Sequence, residues 1–464
     1  MILFTRVQAR DFQVLFSRCV AGRPRGPAPP VAIQIKAETR ITTATTHDGV
    51  TLTHTSPAPK ERDDFVLLPT SVLAEVEGST DEMVTLERQS RTLAVVRWHG
   101  GSKPRTLPVG LILPGKQHEI PAPPELAPVS EKLLAALHEC GRSAARENGR
   151  FALSRVQLQG RSGRVVGTDG KIALLATGCE FPFTDDVLVP ALPVFGSKPL
   201  LRAKVMHIGR TSIHLIIAAG PWSVWLPFDS KARYPDVFAL IPKQPPAVAH
   251  LDHGDVVELL KVLSGLPGKD EEDSPVTIDV GSTVKIRGRD ETTQDTQEVT
   301  LARSTISGPA QQLAFNRRIL ARALSLGCRT LKVTPDKPLV IEGEHFSMIA
   351  LALDSSLIVP PTAQGGKTSA IVAIAPTSTL AQPIHTLQRS NDMPPPDTNG
   401  HTPPRGDPPD PLFAAEELRD ALADATSKAA RLVATLKAGR KEKKVLASVF
   451  ANLKQLGLDS GGPP

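Results

Sequence analysis

The chain has 464 residues, of which 40% are apolar and 22% are charged, and its formal net charge is +6. This length and apolar content allow about three domains, each with its own core. No apolar run is long enough to span a membrane and the N-terminus lacks a signal-peptide pattern, so we expect a cytoplasmic protein. The four cysteines lie far apart in the sequence, which predicts buried thiols rather than a disulfide framework or a zinc site.

Three segments with helical spacing of apolar residues lie near the start of units of similar length. They read DFQVLFSRCV from residue 11, SEKLLAALHECG from residue 130 and HGDVVELLKVLSG from residue 253. Apolar residues at intervals of three and four, behind a polar or acidic start, are typical of amphipathic helices. We therefore predict one such helix in each of three repeats.

A second pattern occurs once per unit, at Pro69, Pro190 and Asn316. Each time a β-rich run ends, a short helix follows, and an apolar strand begins. The last copy is the clearest, because Asn316 is a good N-cap and Gly327 is well placed to end the helix. These repeats predict an α+β fold, in which three copies of one domain each pack two helices on mainly antiparallel sheets.

The predicted domains cover residues 1–118, 119–243 and 244–356. Three stretches inside them are not expected to form strands. The proline-rich IPAPPELAP from residue 120 is predicted to be a linker leading into a helix, and the charged residues 268–274 and 287–297 are predicted to form loops.

Several stretches of the chain occur in the order and spacing of a known family. They are the opening ILFTRVQARDFQVLFSRCVAGRP, FALSRVQLQGRSGRVVGTDGKIALLATG from residue 151, RYPDVFALIP from residue 233, and the FNRRIL helix with the final strand HFSMIALAL. Together they resemble the bacterial DNA polymerase III beta subunit, or sliding clamp, over residues 1–353. The resemblance implies three clamp domains per chain and a homodimeric ring around double-stranded DNA, with no catalytic residues, cofactor or metal.

In the clamp family the paired helices line the hole of the ring, so the resemblance implies cations that contact phosphates there. Arg23 lies where the family has a DNA-facing Arg-Pro pair, and Ala152 replaces one of two aromatic residues in a DNA-contacting segment. For any single residue, a solvated surface cation is an equal alternative. The DNA-contact candidates are Arg23, Arg25, Arg146, Arg150, Phe151, Lys198, Arg202, Arg317, Arg318 and Arg322, and the further lining candidates are Arg6, Arg10, Arg18, Lys132, Arg142 and Lys261.

The resemblance also implies a pocket that binds a short peptide carried by the DNA polymerase III catalytic subunit and the clamp loader complex. Ile172 and Ala352 stand where the family has basic residues, which predicts a more apolar pocket and a shifted preference among partners. The pocket candidates are Leu153, Thr168, Gly170, Ile172, Ala173, Pro242, Ile349 and Leu351.

The chain departs from the family in two further places. Residues 97–113 are short and basic where a Phe-Pro loop is expected. Beyond residue 353, residues 357–411 are predicted to be a disordered proline-rich linker, and residues 412–458 a helical tail used for docking, oligomerisation or DNA tethering. The sequence QLGL at residues 455–458 resembles a pocket-binding peptide, so the tail either occupies the chain's own pocket or is a plain frayed helix end.

An enzyme is the least supported class of function. The sequence has no nucleophile motif, nucleotide-binding loop or helical metal motif, and its acidic pairs have no companion His or Lys. The predicted function is a processivity factor that encircles duplex DNA and tethers the replicative polymerase. The alternative is a clamp-like paralogue that acts as a scaffold for repair or mobile-element proteins, and the sequence leaves both open.

Overall fold

The computed structural model describes residues 1–20, 28–58, 63–101, 103–115, 124–147 and 151–361. Within these residues the paired strands are antiparallel and the helices are few, which confirms the predicted α+β class. Arg23, Arg25 and Arg150 lie outside the described residues, as do the helical tail with its QLGL sequence and all but the first five residues of the predicted linker.

In its described residues the first repeat has two helices and eight strands, arranged in two sheets with the strand orders β1-β6-β7-β8 and β5-β2-β3-β4. Helix α1 begins with a capping box between Thr5 and Gln8, and buries Phe12 and Leu15. The elements are β1 (Ile2–Thr5), α1 (Arg6–Cys19), β2 (Val31–Lys36), β3 (Thr39–Thr45), β4 (Thr51–Pro57), β5 (Asp64–Leu68), α2 (Ser71–Val76), β6 (Met83–Arg88), β7 (Leu93–Gly100) and β8 (Lys103–Gly110).

The second repeat has the same strand orders, β9-β14-β15-β16 and β13-β10-β11-β12. Its second helix is short and follows a 3-10 turn, Pro193–Gly196. The elements are β9 (Leu126–Val129), α3 (Lys132–Ser143), β10 (Arg155–Gln159), β11 (Arg164–Thr168), β12 (Ile172–Ala176), β13 (Asp186–Pro190), α4 (Lys198–Leu201), β14 (Met206–Arg210), β15 (His214–Ala219) and β16 (Trp222–Pro227).

The third repeat adds one short strand, β21, to the same pattern. As predicted, the Asn316 side chain caps α6 by accepting hydrogen bonds from the N–H groups of Arg318 and Ile319. Gly327 follows the helix with a left-handed φ of 80°. The elements are β17 (Ala247–His250), α5 (His253–Leu263), β18 (Pro275–Val280), β19 (Val284–Arg289), β20 (Thr296–Leu301), β21 (Thr305–Ser307), β22 (Gln311–Asn316), α6 (Arg317–Ser325), β23 (Thr330–Val333), β24 (Leu339–Glu342) and β25 (Phe346–Ala350).

Consecutive repeats are joined by strand pairing, so that two sheets run from one repeat into the next. Strand β4 pairs with β16, and β12 pairs with β25. At the first joint His54 lies opposite Trp222, with ring centroids 4.4 Å apart. The equivalent strands at the two ends of the series, β8 and β20, are edge strands of their sheets in the described part of the chain.

Two of the predicted loops are wrong in part. The last three residues of the proline-rich stretch, 126–128, belong to β9, which pairs with β14 at a sheet edge. An edge strand tolerates Pro128, because the missing N–H is not needed by a second neighbour. Residues 287–289 complete β19 and residues 296–297 begin β20, and Arg287 is almost completely buried.

The core is one large apolar cluster that includes side chains from all three repeats. All four cysteines are buried in the fold. No helix in the described ranges is long and apolar enough to cross a membrane.

Candidate functional site

Candidate cations from the first two repeats meet at the first joint, where α1 lies next to the turn before α4. The Arg18 guanidinium donates to Ser197 Oγ over 3.3 Å. Asp11 lies between two arginines, 3.2 Å from Arg10 and 3.9 Å from Arg202. Because the Arg202 side chain is 67% exposed, its charge faces solvent rather than the fold. Lys198 is exposed on the same short helix.

At the second joint, α3 and α6 are held together by Glu139 and Arg322. The Arg322 guanidinium donates to the Glu139 carboxylate over 3.1 Å and to the Glu139 carbonyl oxygen over 2.6 Å. Arg142 contacts the same carboxylate at 3.1 Å, and its side chain is 54% exposed. Only 19% of the Arg322 side chain is exposed, so it connects two repeats and is not a free phosphate ligand.

Arg317 is a second correction to the predicted cation set. It is 3% exposed, and its guanidinium donates to the carbonyl oxygens of residues 266, 267, 274 and 275. These carbonyls belong to the loop before β18 and to the first residue of that strand. Arg317 therefore holds the N-terminal end of α6 against the loop and strand of its own repeat. Arg6 has a similar role, because it binds Glu82 and three backbone carbonyls within the first repeat.

The exposed candidates that remain are spread over the three repeats. Arg146 lies in a surface groove of about 930 Å³ that Arg142, Arg155 and His138 also line. Burial lowers the pKa of His138, so the arginines carry the positive charge of this groove near neutral pH. Phe151, the aromatic candidate, is half-buried. Lys132, Lys261 and Arg318 are exposed at α3, α5 and α6, and Lys261 pairs with Glu258 in its own helix.

The predicted pocket residues come together at the second joint. Ala173 pairs with Ile349 across β12 and β25, and the Leu351 N–H donates to the Lys171 carbonyl oxygen. The turn before β12 is fixed by Thr168, whose hydroxyl donates to the carbonyl of Ile172. The same Thr168 hydroxyl accepts from the N–H of Gly170, and a Cβ atom at Gly170 would lie 3.8 Å from a Leu153 methyl group. Thr168, Ala173 and Ile349 are buried, whereas Leu351 is 52% exposed.

The base of this site is a small apolar cluster, separate from the main core, that spans β11, β12, β24 and β25. It contains Val166, Ala173, Leu175, Val237, Val340 and Ile349, and Tyr234, Phe238 and Ile241 pack on it. The stretch from residue 233 to residue 242 thus contributes four residues to this cluster, whereas the predicted Pro242 is half-buried and is not among them. The Arg164 guanidinium lies 4.8 Å from the Phe238 ring centroid.

Sequence reasoning missed Val237, Phe238 and Arg164. The apolar residues of VFALIP, which follows the Tyr-Pro turn, were the available signal for Val237 and Phe238. Arg164 had no signal, because its position over the ring depends on the fold.

A groove of about 440 Å³ is lined in part by Leu351, one of the pocket candidates. Its walls come from β22, from the turn between β23 and β24, and from residues 351–358. The exposed Leu351 side chain belongs to both the pocket candidates and this groove, which suits an extended peptide with apolar anchors. Among the described residues, no group of three His, Cys, Asp or Glu side chains could hold a metal ion.

No family model and no curated protein matches this sequence. Solved structures do match. The DNA polymerase III subunit beta of Pseudomonas aeruginosa superposes with a TM-score of 0.61 at 14% identity, covering 76% of this chain and 99% of that chain. This chain has the sliding-clamp fold. The beta subunit of Thermotoga maritima gives a TM-score of 0.60 at 15% identity, and that of Borrelia burgdorferi gives 0.61 at 14%, each with the same coverage.

The clamp fold accounts for nearly the whole length of those structures but for only 76% of this chain. The remaining part therefore has no counterpart in them. At this level of identity the likeness concerns the fold, and the function has to be argued from the residues described above.

Proposed function

We propose that this chain is a DNA sliding clamp, a non-catalytic processivity factor in which two copies close into a ring around duplex DNA. The observation that carries the proposal is the series of strand joints. Two joints already link the three repeats, and the strands that make such joints, β8 and β20, are left as edges at the two ends. If β8 of each copy pairs with β20 of the other, two copies form two equivalent joints and close into a symmetric ring.

The exposed cations support the DNA-binding part of the proposal. Arg18, Lys198, Arg202, Arg142, Arg146 and Arg318 are exposed on or next to the helices, or line the groove beside α3. Contacts of this kind to phosphates are independent of sequence, so they hold a ring on DNA without fixing its position. Arg23, Arg25, Arg150 and Phe151 complete the proposed set, which omits Arg317 and Arg322.

The peptide site supports the second part, the tethering of partners. A polymerase III catalytic subunit or a clamp loader complex would insert a short apolar peptide over Ala173, Ile349 and Leu351. The loader would supply the energy for ring opening, and the complex would work in the cytoplasm. The apolar Ile172 favours partners whose peptides depend on apolar anchors rather than on acidic residues.

The experiment is a loading assay with the full-length chain. We expect a mass of two chains in solution, and protein that is retained on circular duplex DNA but lost once the circle is cut. A single chain that binds circular and linear DNA equally would refute the ring. Arg146→Ala should lower the slope of log affinity against log salt by about 1. Arg161→Ala, an exposed arginine in the turn between β10 and β11, is the matched control and should leave the slope unchanged.

The peptide site has its own test, the binding of a fluorescent peptide with a Gln-Leu-x-Leu sequence. Leu351→Asp places a charge on an exposed side chain of the site and should weaken binding by at least tenfold, the equivalent of about 1.4 kcal/mol. Ile213→Asp, at a side chain that is 63% exposed in another turn, is the control. Equal binding by both variants would remove the site from the proposal.

The second candidate function is a clamp-like scaffold for repair or mobile-element proteins. It is favoured by the part of the chain that the solved clamps lack and by the apolar residues at the two family cation positions, Ile172 and Ala352. A ring that slides on DNA but does not stimulate the replicative polymerase would support this candidate over the first.

A further inference from the structure

The edge strand β8 carries prolines at two positions that point away from its neighbour. The N–H of Leu111 donates to the carbonyl of Thr92, which continues the register between β7 and β8. In an antiparallel ladder hydrogen-bonded pairs alternate, so the odd-numbered residues of β8 bond to β7. The backbone groups of Pro104, Thr106, Pro108 and Gly110 therefore point outward. Only Thr106 and Gly110 among these four have an N–H group to offer to a further strand.

Strand β20, which would pair with β8 of a second copy, has no proline at its outward positions. The N–H of Asp290 donates to the carbonyl of Asp295, in register with the ladder between β19 and β20. By the same alternation, Thr296, Glu298 and Thr300 point their backbone groups outward from β20. Each of the three supplies both a donor and an acceptor.

The register of the missing joint follows from the two joints inside the chain. At the first joint Thr51, the first outward residue of β4, lies opposite Trp225, the fourth residue of β16. At the second joint Ala173, the first outward residue of β12, lies opposite Ile349, the fourth residue of β25. The same rule places Thr296 opposite Thr106 of a second copy, and Glu298 opposite Pro104.

This register also brings opposite charges together. Arg105 is exposed on β8, and Asp295 is exposed at the end of the turn before β20. With Thr106 opposite Thr296, these two side chains lie on the same face and diagonally across the joint, within reach of an ion pair. The charges thus favour a second copy of this chain as the occupant of the edge.

The hydrogen bonds, in contrast, favour a weak joint. Opposite Pro104, the Glu298 N–H has an acceptor but the Glu298 carbonyl has no donor. At the second joint the outward residues from 171 to 177 and from 345 to 351 include no proline, and its end bonds are formed by Leu351 and Thr177. The first joint has one proline, Pro221, but it lies at the end of the ladder, where the Thr55 N–H donates to the Pro221 carbonyl oxygen. An unpaired backbone group in a joint costs as much as a lost hydrogen bond.

We propose that Pro104 weakens the joint between β8 and β20, so that two copies of this chain separate and exchange faster than a complete ladder at that joint would allow. The inference rests on the proposed ring, and concerns how long that ring stays shut. Charge complementarity guides the two edges together, and the missing donor limits the lifetime of their pairing.

The test is the dimer dissociation constant of the full-length chain, measured by sedimentation velocity, together with the exchange rate of two fluorescently labelled populations. Pro104→Val restores the donor at both joints of the ring. We expect tighter association by about fivefold to 100-fold, and slower exchange, because two hydrogen bonds are gained per ring. Pro128→Val is the matched control, since it removes a proline from β9, an edge strand outside the proposed joint.

A second variant guards against an effect of Pro104→Val on folding. Thr106→Pro removes the donor that faces Thr296 but no hydrogen bond of the β7–β8 ladder, so it should weaken association while the melting temperature, measured at a dilution where the chains are separate, stays unchanged. A wild-type dimer whose dissociation constant is the same in all variants would overturn the inference and leave the ring intact. If the wild type and every variant remain single chains at all concentrations, the proposed ring itself fails.

Discussion

Replacing Arg287 with Met tests the buried ionic cluster on which the outer layer of the third repeat depends. The Arg287 side chain is 1% exposed; it pairs with Asp279 and with the Glu298 carboxylate at 2.6 Å. Its guanidinium also donates to the Val359 carbonyl oxygen over 3.3 Å. Removing the cation leaves two carboxylates, 12% and 10% exposed, without their main partner. Breaking a buried pair in this way costs about 3–5 kcal/mol.

The assay is hydrogen exchange of the full-length protein, read as the free energy of opening of strands β18 to β20 at neutral pH. Lys285→Met is the matched control, because Lys285 contacts the same Glu298 carboxylate at 2.8 Å but is 34% exposed. Its loss should cost less than about 1 kcal/mol. If Arg287→Met also costs less than about 1 kcal/mol, the reasoning is refuted. A second test adds Asp279→Asn and Glu298→Gln to the Arg287→Met variant, which removes the unpaired charges; a failure of these two changes to restore stability would also refute it.

The pH dependence gives an independent reading of the same cluster. Burial by itself raises the pKa of Glu298, but the hydrogen bonds and charges of Lys285 and Arg287 lower it on balance. A carboxyl whose pKa is lowered by folding stabilises the fold above its unfolded pKa, and this stability is lost as the pH falls through the folded value. In Arg287→Met the carboxylates have lost their cation, so the deficit relative to the wild type should shrink as the pH falls.

Three further predictions follow from single contacts. A Cβ atom at Gly167 would lie 1.9 Å from the Cys140 carbonyl oxygen, so Gly167→Ala should cost at least about 1–3 kcal/mol, and an unchanged melting temperature in calorimetry would contradict this packing. Burial lowers the pKa of His54 from 6.5 to about 4. As the pH falls from 6.5 to 4 the unfolded chain therefore takes up the proton first, and the free energy of unfolding should decrease. His54→Phe should flatten the dependence of this free energy, measured by urea unfolding, on pH, and an unaltered dependence would exclude His54 as the cause. Arg318→Ala should lower the salt slope of DNA binding by about 1, whereas Arg322→Ala should leave the slope unchanged and lower the melting temperature, because its partner is Glu139.

Local patterns in the sequence predicted the helices well. The cap at Asn316 and the glycine after α6 are short-range features, which depend on neighbours along the chain and can be read there. The proline-rich start of the second repeat was harder to interpret. Pro128 argues against an interior strand, but nothing local indicates that β9 lies at an edge where proline is tolerated.

The candidate site was predictable only in part, because sequence gives the type of a side chain and not its partner. Arg317, Arg318 and Arg322 all looked like cations on the polar side of one helix. In the fold, Arg317 is buried and donates to backbone carbonyls, and Arg322 pairs with Glu139 of the second repeat. Of these three arginines only Arg318 is therefore exposed. The pairing of Ala173 with Ile349 likewise joins residues far apart in sequence, and the resemblance to a family placed them in one pocket where local pattern could not.

The residues after β25 determine where the C-terminal extension can be cut. Residues 354–361 form a strap over β18 and β22, fastened where the Val359 N–H donates to the Thr277 hydroxyl over 2.7 Å and where Arg287 holds the Val359 carbonyl. A truncation after Leu353 would remove this strap and leave the buried Arg287 with one hydrogen-bond acceptor fewer. A chain that keeps these contacts therefore has to extend at least to Val359, and damage seen in a version that ends earlier reports on the strap rather than on the extension.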